Sequence, residues 1–159
     1  MVTTFASWVD LPAASYRANR AEAVRLARSL TREQMAAPTG DEGWTVREEM
    51  LHIAASDPDF IRALGEIIRG GSPDMSLFND IDKRNARNLS EWASRPMREV
   101  GDELESNGEA LQRLLAQLKE DDESRQPDGM PFSIGQLVAG YGTHGPYHVG
   151  QVHAAIGQG

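Results

Sequence analysis

This chain of 159 residues has four histidines, and two of them, His144 and His148, stand four residues apart in the segment His144-Gly-Pro-Tyr-His148. A helix repeats every ~3.6 residues, so side chains at i and i+4 share one face about 6 Å apart, close enough to hold one ion. His52 follows a clear helix start at Trp44-Thr-Val-Arg-Glu48, on a separate segment. Three imidazole nitrogens drawn from two helices leave a coordination position open, which distinguishes a catalytic metal centre from a closed structural one. The residues therefore predict a divalent-ion site on His52, His144 and His148, with zinc or nickel preferred to magnesium because imidazole suits borderline metals.

Each residue also has a plainer reading. A lone histidine is ordinarily a hydrogen-bonded core residue. His52 sits a step off the stripe Val46, Met50 and Ile53, on the flank of Glu48 and Glu49, so periodicity leaves its direction open. The pair at 144 and 148 is the stronger signal, because two unpartnered imidazoles on an apolar face would cost about 1–3 kcal/mol each. His153 falls round the helix from His148 and reads as surface. Glu48 and Glu49 read as capping and surface charge, or functionally as a base or a partner to a ligating imidazole. Tyr141 and Tyr147 read as core filler, or as residues that orient a substrate. The stretch Asn79-Asp-Ile-Asp-Lys-Arg-Asn85 either caps a short helix or reaches over a pocket.

The elements that must position these side chains are helices: apolar residues recur at helical spacing, no alternating strand stands out, and the chain reads as all-α. A first helix is expected from near Leu11 to Leu30. The second opens with a Thr45/Glu48 capping box and stops at Gly70-Gly71, with a kink near Ser56-Asp57 that the helix survives, because Pro58 removes a donor there. A looser stretch to Pro96 holds a short helical piece around Asp82 to Leu89, with Trp92 as its anchor. The third helix spans about Pro96 to Lys119, weakened by Gly101 and Gly108. The fourth follows a Ser133/Gln136 capping box and carries Ile134, Leu137, Tyr141, His144, His148, Val152 and Ile156 on one face. Gly135, Gly140, Gly142, Gly145 and Pro146 make it dependent on tertiary support, which a bridging metal would supply. The long connection between the second and third helices suits a bundle in which those two run parallel. If the second and fourth helices are antiparallel neighbours, the histidines fall at roughly matching heights at about 1.5 Å per residue.

Lys and Arg number 16 against 24 Asp and Glu, a formal charge of −8 that disfavours nucleic acid and anionic lipid as partners. The arginines are scattered among acids and read as a solvated surface, within which one could still bind an anion. Cysteine is absent, so any thiol chemistry uses an external thiol. The length predicts one domain over 1–159, and the lack of a leader-like or bilayer-spanning run predicts a soluble, cytoplasmic protein.

Two segments carry a resemblance. Trp44-Thr-Val-Arg-Glu-Glu-Met-Leu-His52 resembles the second-helix signature of DinB-like proteins, and His144-Gly-Pro-Tyr-His148-Val-Gly-Gln151 resembles their fourth-helix signature, His-x-x-x-His followed by Gly-Gln. The likeness extends over essentially the whole chain. It implies a four-helix bundle with an up-down-down-up course, a homodimer, and a divalent metal on His52, His144 and His148. Characterised relatives include thiol-dependent transferases and a mycothiol-dependent isomerase, and others are hydrolase-like. The expectation is a metal-dependent S-transferase or isomerase that activates an external thiol (bacillithiol, mycothiol or glutathione) toward a small-molecule substrate. A metal-dependent hydrolase, or a non-catalytic metal- or ligand-binding stress protein, is the alternative. No acid, base or thiol-binding residue is assigned.

Overall fold

Capping chemistry sets where three of the helices begin. Thr31, Thr45 and Ser133 each accept from the backbone N–H three residues on, while Gln34, Glu48 and Gln136 reach back to the cap amide. Each box satisfies two donors that a helix end leaves orphaned. The computed structural model describes residues 2–41 and 43–157. Among them are six α-helices and no strand: α1 (Asp10–Ser29), α2 (Arg32–Ala36), α3 (Val46–Ile68), α4 (Ile81–Trp92), α5 (Met97–Leu115) and α6 (Ile134–Ile156). Both ends of the expected 1–159 domain lie outside the described residues. No helix among the described residues is long and apolar enough to cross a membrane.

The departures from expectation are local. The short helix α2 stands between the two helices expected before Gly70, where the sequence pattern marks none. α4 is a turn longer than its apolar pattern suggests, with Trp92 buried and the Arg95 guanidinium 3.8 Å above its ring. α5 stops before Lys119, because Gln117 and Leu118 bond back three residues to Leu114 and Leu115 at 3.0 and 3.2 Å. Leu118 stays buried all the same.

α3 runs unbroken through Pro58. Proline has no N–H to give the carbonyl four residues back, and that carbonyl belongs to Ala54. The buried side chain of Asn107 on α5 donates to it instead, at 3.5 Å. A buried acceptor left bare would cost about 1–3 kcal/mol, so Asn107 is the tertiary contact that lets the helix keep its proline.

The interior is two apolar clusters with polar side chains between them. One gathers Leu26, Met50, Ile53, Leu104 and Val152; the other gathers Tyr16, Phe60, Leu64, Leu111 and Ile134. Along each of the four long helices a polar residue separates the two clusters: Arg20 on α1, Asp57 on α3, Asn107 on α5, and Tyr141 with His144 on α6. α1 packs on α5 and α6, and α3 packs on the same two. The histidines therefore sit where polar groups already interrupt the core.

Candidate metal centre

Arg20 and Asp57 anchor this layer. Arg20 donates Nε to Asp57 Oδ2 at 2.8 Å and a second N–H to Oδ1, a bidentate pair with both side chains almost wholly buried. The Tyr141 hydroxyl donates to the same Asp57 carboxylate at 2.6 Å. Burial pulls the Arg20 guanidinium down, but Asp57 outweighs it and the group stays firmly charged. Burial, with Asp57 beside it, raises Tyr141 well above its ordinary value, so it remains a hydroxyl donor. Gly145 allows the helices this close: a Cβ there would lie 2.7 Å from Arg20 Nη1 and still nearer Asn19 Oδ1. The network holds Tyr141, whose ring stacks on His144 at 5.3 Å and 14°.

On this support three imidazoles converge. His52 and His144 face each other Nε2 to Nε2 at 2.9 Å, and the rings of His52 and His148 stand 4.4 Å apart. The three residues offer nitrogens that all lie within 4.8 Å of one another. His52, whose direction periodicity left open, is 2% exposed. Its flank is covered by Trp44, whose ring lies 4.9 Å from His52 and 6.0 Å from His148.

Glu49 is a correction to its reading as surface charge. It is fully buried and accepts from His148 Nδ1 at 2.6 Å and from Thr39 Oγ1 at 2.9 Å. Glu48 does the capping. Asp41 joins the cluster from the loop between α2 and α3, accepting from the Tyr147 hydroxyl at 2.7 Å. That loop is shaped by an antiparallel bridge between Pro38 and Thr45 and by Gly40, whose N–H donates to Gln151 Oε1 at 3.1 Å. Burial pushes the Glu49 carboxyl up, while the neighbouring Glu49 and the Tyr147 hydroxyl hold Asp41 below the usual range. His153 lies apart, half-buried, with Nε2 2.9 Å from Glu22. In position, Asp41 is what sequence reasoning missed: a loop aspartate carries no periodic signal.

The donor set suits a divalent ion. Two ring nitrogens each 2.0–2.1 Å from a common ion lie about 3 Å apart, close to the separation of His52 and His144. His148 has its Nδ1 taken by Glu49, which orients Nε2 as carboxylates do behind metal-bound imidazoles. His144 Nδ1 is buried with no partner. Burial, reinforced by His148 and His144, holds His52 down to about 2, and burial with His148 holds His144 down to about 3. Neutral rings are the ligating form.

The sequence model of the DinB superfamily matches residues 15–152. The chain belongs to that superfamily. No curated protein and no solved structure matches it. The DinB match spans Trp44, Glu49, all three clustered histidines and Gln151, so both sequence signatures fall within it.

The buried neutral rings give the ion-free chain a pH dependence. Unfolded, His52 and His144 protonate near pH ~6.5; folded, they resist to about 2 and 3. Below the unfolded value the unfolded state binds the extra protons, so stability is complete above it and falls as pH drops toward the folded values. Urea titrations at about pH 7.5 and about pH 5 should differ by about 2 kcal/mol per imidazole. That difference should largely disappear in a His52→Asn/His144→Asn double variant, and an equal difference in the variant would assign it to other groups.

Proposed function

We propose that the chain is a metal-dependent enzyme with His52, His144 and His148 as ligands of one divalent ion, zinc or nickel, and with an external low-molecular-weight thiol as its co-substrate in S-transfer or isomerisation. The observation that carries this is the convergence of three imidazoles, His52, His144 and His148, with His148 braced from behind by Glu49. An ion held there supplies an open position at which a thiol loses its proton near neutral pH. The chain's own part is orientation and exclusion of water: Trp44 covers His52 and His148, Tyr141 stacks on His144, and Ser56 Oγ lies 3.5 Å from His52 Nδ1. Glu49 is committed to His148 and Thr39, which supports a positioning role over that of a free base.

The reading includes a single domain over 1–159, built as a four-helix bundle with an up-down-down-up course. Contacts support that course: Tyr16 meets Val138 while Glu22 meets His153, so α1 and α6 share a direction. Gly101 lies by Ala27 and Gly108 by Arg20, which sets α5 against α1. Glu49 on His148 and Asp57 on Tyr141 set α3 against α6. The homodimer implied by the resemblance belongs to the same reading, and sedimentation at micromolar concentration decides it. The formal charge of −8 favours small molecules over nucleic acid as partners.

Cobalt loading tests the activity. Bacillithiol, mycothiol or glutathione should produce a sulfur-to-cobalt charge-transfer band that depends on all three histidines, and turnover of monochlorobimane should track the band across the His52, His144 and His148 variants. Failure of all three thiols to perturb a cobalt-loaded site would remove the transferase and leave hydrolysis or simple binding. A band without turnover favours a binding protein.

A further inference from the structure

His144 borders a cavity of about 490 Å³ between α3, α6 and the connection that leads into α4. Its body is apolar and mostly aromatic, formed by Phe60, Phe78, Phe132, Leu137 and Tyr141. Tyr141 stacks on Phe60 at 3.9 Å, and Phe78 meets Phe132 edge-on at 5.8 Å. The volume is that of a small-molecule pocket, and fixed ring faces favour a flat or branched apolar body.

Two charged side chains line it, Asp59 and Arg84. Asp59 is matched by Arg62 at 2.7 Å. Arg84 has no carboxylate partner among the described residues; one Nη1 N–H donates to the Leu77 carbonyl, and its Nε–H is buried without an acceptor. A guanidinium carries five donors in a fork that matches a carboxylate. This fork is pinned at one prong and unmet at another. Arg84 and His144 line the same cavity.

The geometry points to an amphipathic monocarboxylate as the molecule this cavity takes. Its aryl or branched alkyl body lies on Phe60, Phe78, Phe132 and Leu137, and its carboxylate meets Arg84, in the cavity that His144 borders. One unmatched cation, in a largely apolar cavity whose other charged side chain, Asp59, is paired with Arg62, selects one negative charge. The conversion of such a molecule rests on the metal-centre reading above; its recognition does not, because Arg84 and the aromatic walls are present without an ion.

Calorimetry on the chelator-treated full chain tests the recognition with 4-phenylbutyrate, its amide and 4-phenylbutylamine. The acid should bind about tenfold more tightly than the amide, the gain of a charge-assisted hydrogen bond, with the amine weakest. Arg84→Gln should remove the acid's advantage over the amide. Phe132→Ala should weaken acid and amide together. Equal binding of acid and amide to the unaltered chain, an acid advantage that survives Arg84→Gln, or binding of neither overturns the inference. If Arg84→Gln does not fold, the comparison of the three probes on the unaltered chain still decides. Zinc titration of the same preparation separates the two readings. Acid preference without zinc binding removes only the metal centre, and zinc binding without acid preference removes only this inference.

Discussion

Replacing Asp57 by alanine should cost the fold about 3–5 kcal/mol, the range for removing one partner of a buried ion pair. The charge it neutralises, on Arg20, is 3% exposed. The Tyr141 hydroxyl loses its acceptor in the same change. For a chain of this length the loss corresponds to a fall of about 10 °C in melting temperature. Asp57→Asn should cost less, since an amide oxygen still accepts. An Arg20→Met/Asp57→Leu double variant should recover much of the loss, because apolar residues of similar volume commonly replace a buried pair without penalty. Denaturant titration of the three proteins decides it. A fall below about 1 kcal/mol for Asp57→Ala would mean that water reaches Arg20 and that the layer is not sealed.

This layer marks the boundary of what the chain discloses before folding. The long helices are legible because capping boxes at Thr45 and Ser133 and stripes at helical spacing are local signals, and the structure begins α3 and α6 where those boxes fall. The His144/His148 pair is legible for the same reason, since four-residue spacing on one helix is a local distance. Arg20 and Asp57 are not. Arg20 stands among surface arginines and Asp57 beside a proline, and only packing of α1 against α3 and α6 makes either one interior. The two readings of Glu49, surface charge or partner to an imidazole, cannot be separated in the sequence, because a glutamate in the first turn of a helix is ordinarily solvated. Its burial depends on the loop that carries Asp41 and Trp44 folding back over it. The Arg84 cavity is likewise a product of the connection between α3 and α5, whose course no periodicity encodes.

One zinc ion per chain is expected at slightly alkaline pH, and the ligand variants should separate two overlapping donor sets. His52, His144 and His148 form one; Asp41, Glu49 and His148 form the other. In the second set Glu49 is aimed at His148 and Thr39 and Asp41 Oδ1 at Tyr147, while Asp41 Oδ2 is buried without a partner. In the first, His52 and His144 meet only each other at Nε2. Imidazole nitrogens suit a borderline ion, so the all-nitrogen set is the one expected to hold zinc, and His52→Ala, His144→Ala and His148→Ala should each weaken zinc by at least about 100-fold. Glu49→Gln should cost about 10- to 100-fold, since it loosens the brace behind His148 without removing a ligand. Asp41→Asn should cost less than Glu49→Gln, and His153→Ala should change nothing, because its ring pairs with Glu22 outside the cluster. Competition titration with a chromogenic chelator reads all six variants. If His144→Ala binds zinc as tightly as the unaltered chain while Asp41→Asn does not, the ion belongs to the carboxylate set, and the open three-imidazole centre is wrong.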